Sequence, residues 1–302
     1  MYLDFYKLLE EPFRLTPDPK FLQLAEPHRN ALTVLAHGVA GRKGLMLISG
    51  AAGTGKTTVL HGLLALLARS FPQNALSTAL IVNPRLNSDE LLETLLFEYE
   101  IPRNFNSKPA RIAALQSMMF SASRCGGTCL LIIDEAHLLA ADTLEEIRLL
   151  MNADTYKEKL IQVILCGQPE LCELLHKPGL AALRQRIAQR ASLRELSVSE
   201  SRMYVSERLR IAGLQIAMPF ALAALTKLHE CSGGIPRIIN ILADTCLAIG
   251  AATKRQIISD DIVEEAALQH GLVPGSYGTF VAGPSAEIES AEPADAVNRS
   301  VL

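Results

Sequence analysis

The chain has 302 residues, 49% hydrophobic and 20% charged, so a folded protein with room for two domains is expected rather than a disordered or fibrous one. A formal net charge of −3 gives no global electrostatic case for nucleic acid, whose binders carry a basic excess, although a local basic stripe stays open. No apolar run reaches the roughly 18–20 residues of a bilayer span, and the opening MYLDFYKLLEEPF carries acids and lacks the long apolar core of a signal peptide.

Residues 1–43 read as an amino-terminal segment. PFRLTPDPKFL is rich in proline and aromatic residues and reads as an ordered loop; EPHRNALTVLAHGV reads as a helix with Leu32, Leu35 and Val39 on one face. Then an alternation begins. GLMLISG (44–50) is a short apolar strand ended by glycine, and KTTVLHGLLALLARSF (56–71) an apolar helix. ALSTALIVNP (75–84) is a second strand, followed by helices over 88–100 and 109–125. TCLLIID (128–134) is a third strand, 143–154 a helix, LIQVILCG (160–167) a fourth strand, PELCELLH (169–176) a helix and RASLREL (190–196) a fifth strand. The strands are continuous apolar runs, the pattern of a parallel sheet covered by helices on both faces. From about residue 198 four helical segments follow without a strand, so the expected α/β core over 44–197 is joined to a small all-helical lid over 198–271. The tail, 272–302, is small, polar and rich in Pro, Ala and Glu, and is expected to be flexible.

The six cysteines include no CxxC pair and none at zinc-finger spacing from a histidine. Several lie inside apolar runs, which predicts buried free thiols and a reducing, cytoplasmic setting.

GAAGTGKT, from Gly50 through Ala51, Ala52, Gly53, Thr54, Gly55 and Lys56 to Thr57, fits G-x-x-x-x-G-K-[ST] between a strand and a helix. Glycines there let successive N–H groups turn toward phosphate oxygens, and the helix start, continuing into Thr58, adds partial positive charge. The spacing assigns Lys56 to the β- and γ-phosphates of ATP and the Thr57 hydroxyl to Mg²⁺. The plainer alternative is a glycine-rich turn with an incidental lysine. Later, CLLIIDEAHLL sets Asp134 and Glu135 at the end of a buried strand. A P-loop ATPase needs one carboxylate for Mg²⁺, here Asp134, and a base to polarise water, here Glu135. Acids that merely end a strand at the surface are the bland alternative. The letters DEAH suggest a helicase, but no second RecA-like domain fits in this length. His137 receives no chemical role.

A P-loop sheet followed by a helical lid resembles the AAA+ ATPases. Within that resemblance Gln168, after the fourth strand, matches the sensor 1 residue, and Arg237 in GGIPRIIN matches the sensor 2 arginine. LRQRIAQR supplies Arg184, Arg186 and Arg190 where the family places an arginine finger, with Arg186 the first choice. YKLLEEPFRLTPDPKFLQLAEPHRNAL is similar to the opening of the general secretion pathway protein A (ExeA-like) ATPases, as are GQPEL and LRQRI; exosortase-associated ATPases and transposition regulators of the TnsC and MuB type are related. That resemblance implies His28 and Leu32 as nucleotide neighbours. Full-length secretion ATPases continue into a transmembrane helix and a peptidoglycan-binding domain; 272–302 matches neither.

The expected function is an oligomeric, Mg²⁺-dependent ATPase, a ring or filament that assembles or remodels a secretion, envelope or polysaccharide-export complex, cytoplasmic or held at the inner membrane by a partner. The alternative is an ATP-gated DNA scaffold, carried by Arg184, Arg186, Arg190, Arg194, Arg202, Arg208 and Arg210. Glu195, Glu200 and Glu207 are interspersed there, which favours a solvated or subunit-contact face over a phosphate track.

Overall fold

The computed structural model describes residues 2–16, 25–72, 75–82, 84–102, 104–154 and 158–272. The Pro17-Asp18-Pro19 part of the predicted loop and the tail from 273 lie outside them.

Five parallel strands, β1 (Leu45–Gly50), β2 (Leu76–Ile81), β3 (Thr128–Ile133), β4 (Ile161–Gly167) and β5 (Ile187–Leu193), form one sheet in the order β2-β3-β4-β1-β5. The central strands β3 and β4 are buried at every position, and mostly apolar, because both sheet faces are covered. Successive side chains alternate between those faces. Leu45, Leu47, Leu131, Ile133, Val163 and Leu165 enter one core with helices α4 (Ser88–Glu98), α5 (Lys108–Arg124), α6 (Ala141–Leu150) and α7 (Pro169–His176). Met46, Ile48, Leu130, Ile132, Ile164 and Cys166 enter the other, with α2 (Glu26–Ala40) and α3 (Lys56–Ser70). The expected parallel five-stranded sheet with helices on both faces is what the chain forms.

The last strand begins and ends three residues earlier than predicted. β5 lies at the sheet edge, so only alternate residues such as Ala191 and Leu193 are buried, and its polar face obscured it in a search for continuous apolar runs. α6 stops at Leu150, whereas the helix was read to 154, and a short helix, α8 (Ala181–Gln185), precedes β5.

Beyond β5 come α9 (Val198–Ile211), α10 (Leu222–Ser232), α11 (Pro236–Ala252) and α12 (Asp260–Gln269), which share a separate apolar core. Ser197 and Glu200 cap α9 reciprocally as a capping box. Arg194, just past β5, grips both oxygens of Glu200 at 2.7 and 3.0 Å, which fixes the first turn of α9 to the end of the sheet.

The amino-terminal residues join this helical core. α1 (Tyr2–Phe5) lies on α11, and Tyr6, Leu8 and Phe13 are buried among the lid helices. Tyr2 Oη donates to Asp244 Oδ1 at 2.6 Å and Tyr6 Oη to the Arg255 carbonyl at 2.8 Å. Among the described residues no helix is long and apolar enough to cross a membrane.

Candidate nucleotide site

Because the strands are parallel, their carboxyl ends share one edge of the sheet, and the loops there are where α/β sheets build sites. β1 ends at Gly50, the loop runs over 51–55, and α3 starts at Lys56. Gly53 (φ +79°) and Gly55 (φ +100°) hold the left-handed backbone that an L side chain resists. Space is as restrictive as angle: a Cβ on Gly55 would sit 2.6 Å from His28 Nε2. The first N–H groups of α3 have no acceptor within the helix, so they are available to an anion. Lys56 is 95% buried by its surroundings, at 5% exposure, and its ammonium donates to the carbonyls of Gly50 at 2.9 Å and Ala51 at 3.1 Å. Thr54, also buried, donates to the Ala51 carbonyl at 2.8 Å, while Ala52 and Thr57 face solvent.

β3 brings Asp134 to the same place. Its carboxylate is buried, with Oδ2 accepting from Thr57 Oγ1 at 2.9 Å and Oδ1 accepting from the Glu135 amide at 2.9 Å. The Cys166 thiol of β4 lies beside it; burial, and then the Asp134 carboxylate, push this thiol far above the ordinary range. Glu135 itself is left-handed, at φ +53°, and opens a 3₁₀ turn over Ala136–Leu138. Glu135 Oε2 lies 3.3 Å from His137 Nδ1, yet it is buried without an aligned hydrogen bond. Gln168, at the end of β4, reaches His137 from the other side: its backbone N–H donates to Nδ1 at 3.5 Å, and its side-chain amide lies 3.5 Å from Nε2.

The helical region reaches the P-loop through its backbone. The Arg237 amide, in the first turn of α11, donates to the Gly53 carbonyl at 3.2 Å, and a Cβ on Gly53 would lie 3.0 Å from Arg237 Cβ. The exposed guanidinium therefore starts from the lip of the P-loop. His28, on α2, is buried and its Nε2 donates to the Thr54 carbonyl at 2.7 Å, which places the proton on Nε2 because a carbonyl only accepts. Nδ1 is buried without a partner, and burial lowers the pKa of the ring. Leu32 lies one turn further along α2, half-buried against the core that α2 and α3 share.

The arginines do not join this cluster. Arg186 ends α8 and donates to Asn152 Oδ1 at 2.5 Å. Ile187, next in the chain, pairs with Leu45 at the start of β1, so Arg186 stands at the opposite end of the sheet from Gly50. Arg184 lies two residues before it, on α8. Arg190, expected to open the last strand, lies in the middle of β5 opposite Leu47; it lines a cavity of about 410 Å³ with Glu26, Asn30 and Arg194.

Sequence reasoning missed His137 and Cys166. The signal for the first was its spacing, two residues past Glu135 in a turn too short to carry it away. The signal for the second was parity: Cys166 points to the same face of β4 as Ile164, one residue from the strand end.

Residues 39–175 match the family described as AAA domain. General secretion pathway protein A from Aeromonas hydrophila is 38% identical over 267 residues, which is 87% of this chain and 47% of that protein. The chain therefore spans about half the length of this curated relative. Two solved structures share the fold at low identity. The Drosophila ORC bound to DNA aligns with a TM-score of 0.67 at 18% identity, covering 88% of this chain and 65% of that one. The Thermotoga maritima RuvB Holliday junction branch migration motor aligns with a TM-score of 0.51 at 19% identity, covering 83% and 74%. Fold and identity together make this chain an AAA+ protein with the nucleotide-binding P-loop sheet, and within that class it resembles general secretion pathway protein A.

Proposed function

We propose that the chain is an Mg²⁺-dependent ATPase. The observation that carries this is the 2.9 Å approach of the Thr57 hydroxyl to the buried Asp134 carboxylate at the mouth of a glycine cradle. A hydroxyl and one carboxylate are too few ligands for an all-protein metal cage, but they suit Mg²⁺, which takes its other ligands from water and phosphate. The cradle fits the phosphates: its left-handed glycines leave no room for a Cβ, and the helix that follows presents first-turn amides. Bound there, Mg²⁺ would neutralise charge on the phosphate oxygens.

The residues of the chain then divide the work. Gly50 to Thr58 wrap the phosphates, and the Lys56 ammonium exchanges its two loop carbonyls for phosphate oxygens. Glu135 orients the attacking water and takes its proton. Gln168 and Arg237 reach the γ-phosphate from the sheet and from the lid, so that loss of this phosphate loosens the lid. His28 holds the loop from below through Thr54 and, with Leu32, borders the nucleoside.

Arg186, at the far end of the sheet, supplies the site of a neighbouring copy in a ring or filament. The relation to general secretion pathway protein A supports a task in assembling or remodelling a secretion, envelope or export complex, on the cytoplasmic face and through a protein partner. The DNA-scaffold alternative has support in the ORC-like fold. Its arginines, however, are engaged within the chain: Arg194 with Glu200, Arg210 with Glu207, and Arg202 with Thr226. The test is phosphate release from ATP by the purified chain with Mg²⁺, compared with EDTA and with Lys56→Ala. Turnover that survives both unchanged overturns the reading.

A further inference from the structure

We infer that His137 is a positioning residue that holds Glu135 and Gln168 in one arrangement, an inference that rests on the ATPase reading above. Its ring stands between the two. Nδ1 lies 3.3 Å from Glu135 Oε2 and 3.5 Å from the Gln168 amide nitrogen, while Nε2 lies 3.5 Å from the Gln168 side-chain amide. One imidazole thus meets the carboxylate that follows β3 and both polar groups of the residue that follows β4.

The hydrogen-bond roles follow from what each partner can do. The backbone N–H of Gln168 only donates, so Nδ1 is the acceptor and the ring proton sits on Nε2. An accepting Nδ1 cannot bond to a carboxylate, which also only accepts. That explains why Glu135 Oε2 is buried at 3.3 Å from the ring and still lacks a hydrogen bond. The ring limits where the carboxylate can swing without occupying its lone pairs, and those stay available to a water molecule. On the other side, Nε2–H faces the Gln168 amide, whose oxygen can accept it. A shift of Gln168 toward or away from a phosphate moves the ring, and the ring moves the limit on Glu135.

Both ends of this link are stiff. Glu135 is fixed by its left-handed backbone and by the bond from its amide to Asp134 Oδ1. On the other side, a Cβ on Gly167 would lie 3.4 Å from the His137 backbone nitrogen, so the turn rests directly on the end of β4. His137 is only 14% exposed and cannot leave this seam by a simple rotation into solvent.

The experiment is steady-state ATP turnover by the full chain carrying His137→Phe or His137→Asn, each alone and combined with Gln168→Ala. Phenylalanine keeps a planar aromatic ring and removes both nitrogens, so kcat is expected to fall about 10- to 100-fold, with the KM for ATP nearly unchanged. Asparagine puts an oxygen near the Nδ1 position, and most of the rate is expected to return. In the Gln168→Ala background the His137→Phe loss is expected to shrink, because the two residues act as a unit. A kcat like that of the parent in His137→Phe, equal losses in Phe and Asn, or losses that simply multiply in the double variant overturn the inference. If His137→Phe does not fold, His137→Gln replaces it, since glutamine leaves the Nδ1 position without an acceptor and the same loss is expected. Undiminished turnover in Glu135→Gln would instead remove the reading of Glu135 as the base, a separate failure that this comparison identifies.

Discussion

Thr57 and Asp134 lie 77 residues apart in the chain and 2.9 Å apart in space, hydroxyl to carboxylate. Their strands are not neighbours, for β4 separates β1 from β3. The contact is made above the sheet, where the first turn of α3 leans over the end of β4 toward β3. A site for a phosphate-bound cation needs this reach, because the P-loop and the acidic strand must serve one ion from two sides. Asp134 is 3% exposed, so its oxygens meet the donors around them rather than bulk water.

Removal of one group at a time separates binding from chemistry. Lys56→Ala takes away the only ammonium in the loop and is expected to abolish binding of a fluorescent ATP analogue. Glu135→Gln keeps shape and removes the base, so binding is expected to persist while kcat falls by about 10²–10⁴-fold. Asp134→Asn is expected to bind nucleotide in EDTA as the parent does and to lose the added affinity that Mg²⁺ gives. Equal analogue binding by Lys56→Ala and the parent contradicts the site as drawn.

Gly55→Ala tests the cradle by shape alone. The new methyl meets His28 Nε2 at 2.6 Å and must adopt φ +100°. Strain of this kind costs about 1–3 kcal/mol, and the loop can relax only by opening the phosphate cradle. Thermal unfolding should show the lower stability, and the gain in midpoint on adding MgATP should vanish. Pairing the change with His28→Ala removes the clash and leaves the backbone angle, so only part of the loss should return.

Legibility in the sequence followed burial. β3 and β4 are buried at every position, and their apolar runs announce them; the P-loop is announced by glycines that nothing else can replace. β5 is an edge strand with a polar face, and for that reason its bounds lie three residues from where the sequence places them. The packing of the first residues is illegible because their partners are distant: Tyr6 meets Arg255 across 249 positions, a contact that no local pattern encodes. His137 was passed over because its role lies in what stands beside it on β4, and spacing along one strand says nothing of the next.

The hinge between sheet and lid should respond to acid. The Arg194 guanidinium, and after it the Ser197 amide and hydroxyl, hold the Glu200 carboxyl down to about 2. A carboxylate with a lowered folded pKa stabilises fully above its unfolded value and loses that contribution as pH falls through the folded one. The urea midpoint of the parent should therefore decline between pH 4.5 and about pH 2. Glu200→Gln should lower the midpoint at neutral pH and flatten this part of the profile. Ser197→Ala, which removes the cap of α9, should cost about 1 kcal/mol at neutral pH. A Glu200→Gln profile that is parallel to the parent would show that Arg194 and Glu200 are not coupled in this way.

Arg186 offers the sharpest test of assembly, because it stands at the amino end of β5, away from Lys56 of its own chain. An arginine that serves the site of the next copy can be separated genetically from that site. Arg186→Ala alone is expected to bind ATP as the parent does and to lose about 10³-fold or more in kcat. Lys56→Ala alone is expected to be silent. Mixed in one assembly, a Lys56→Ala subunit still offers its Arg186 to a neighbour whose P-loop is intact, so part of the activity should return and should peak near equal proportions. A mixture with no activity at any ratio, in assemblies that form normally by light scattering, removes Arg186 from the role. The same mixing with Arg190→Ala then decides for the strand residue, whose place in the middle of β5 beside Arg194 makes rescue there the less favoured outcome.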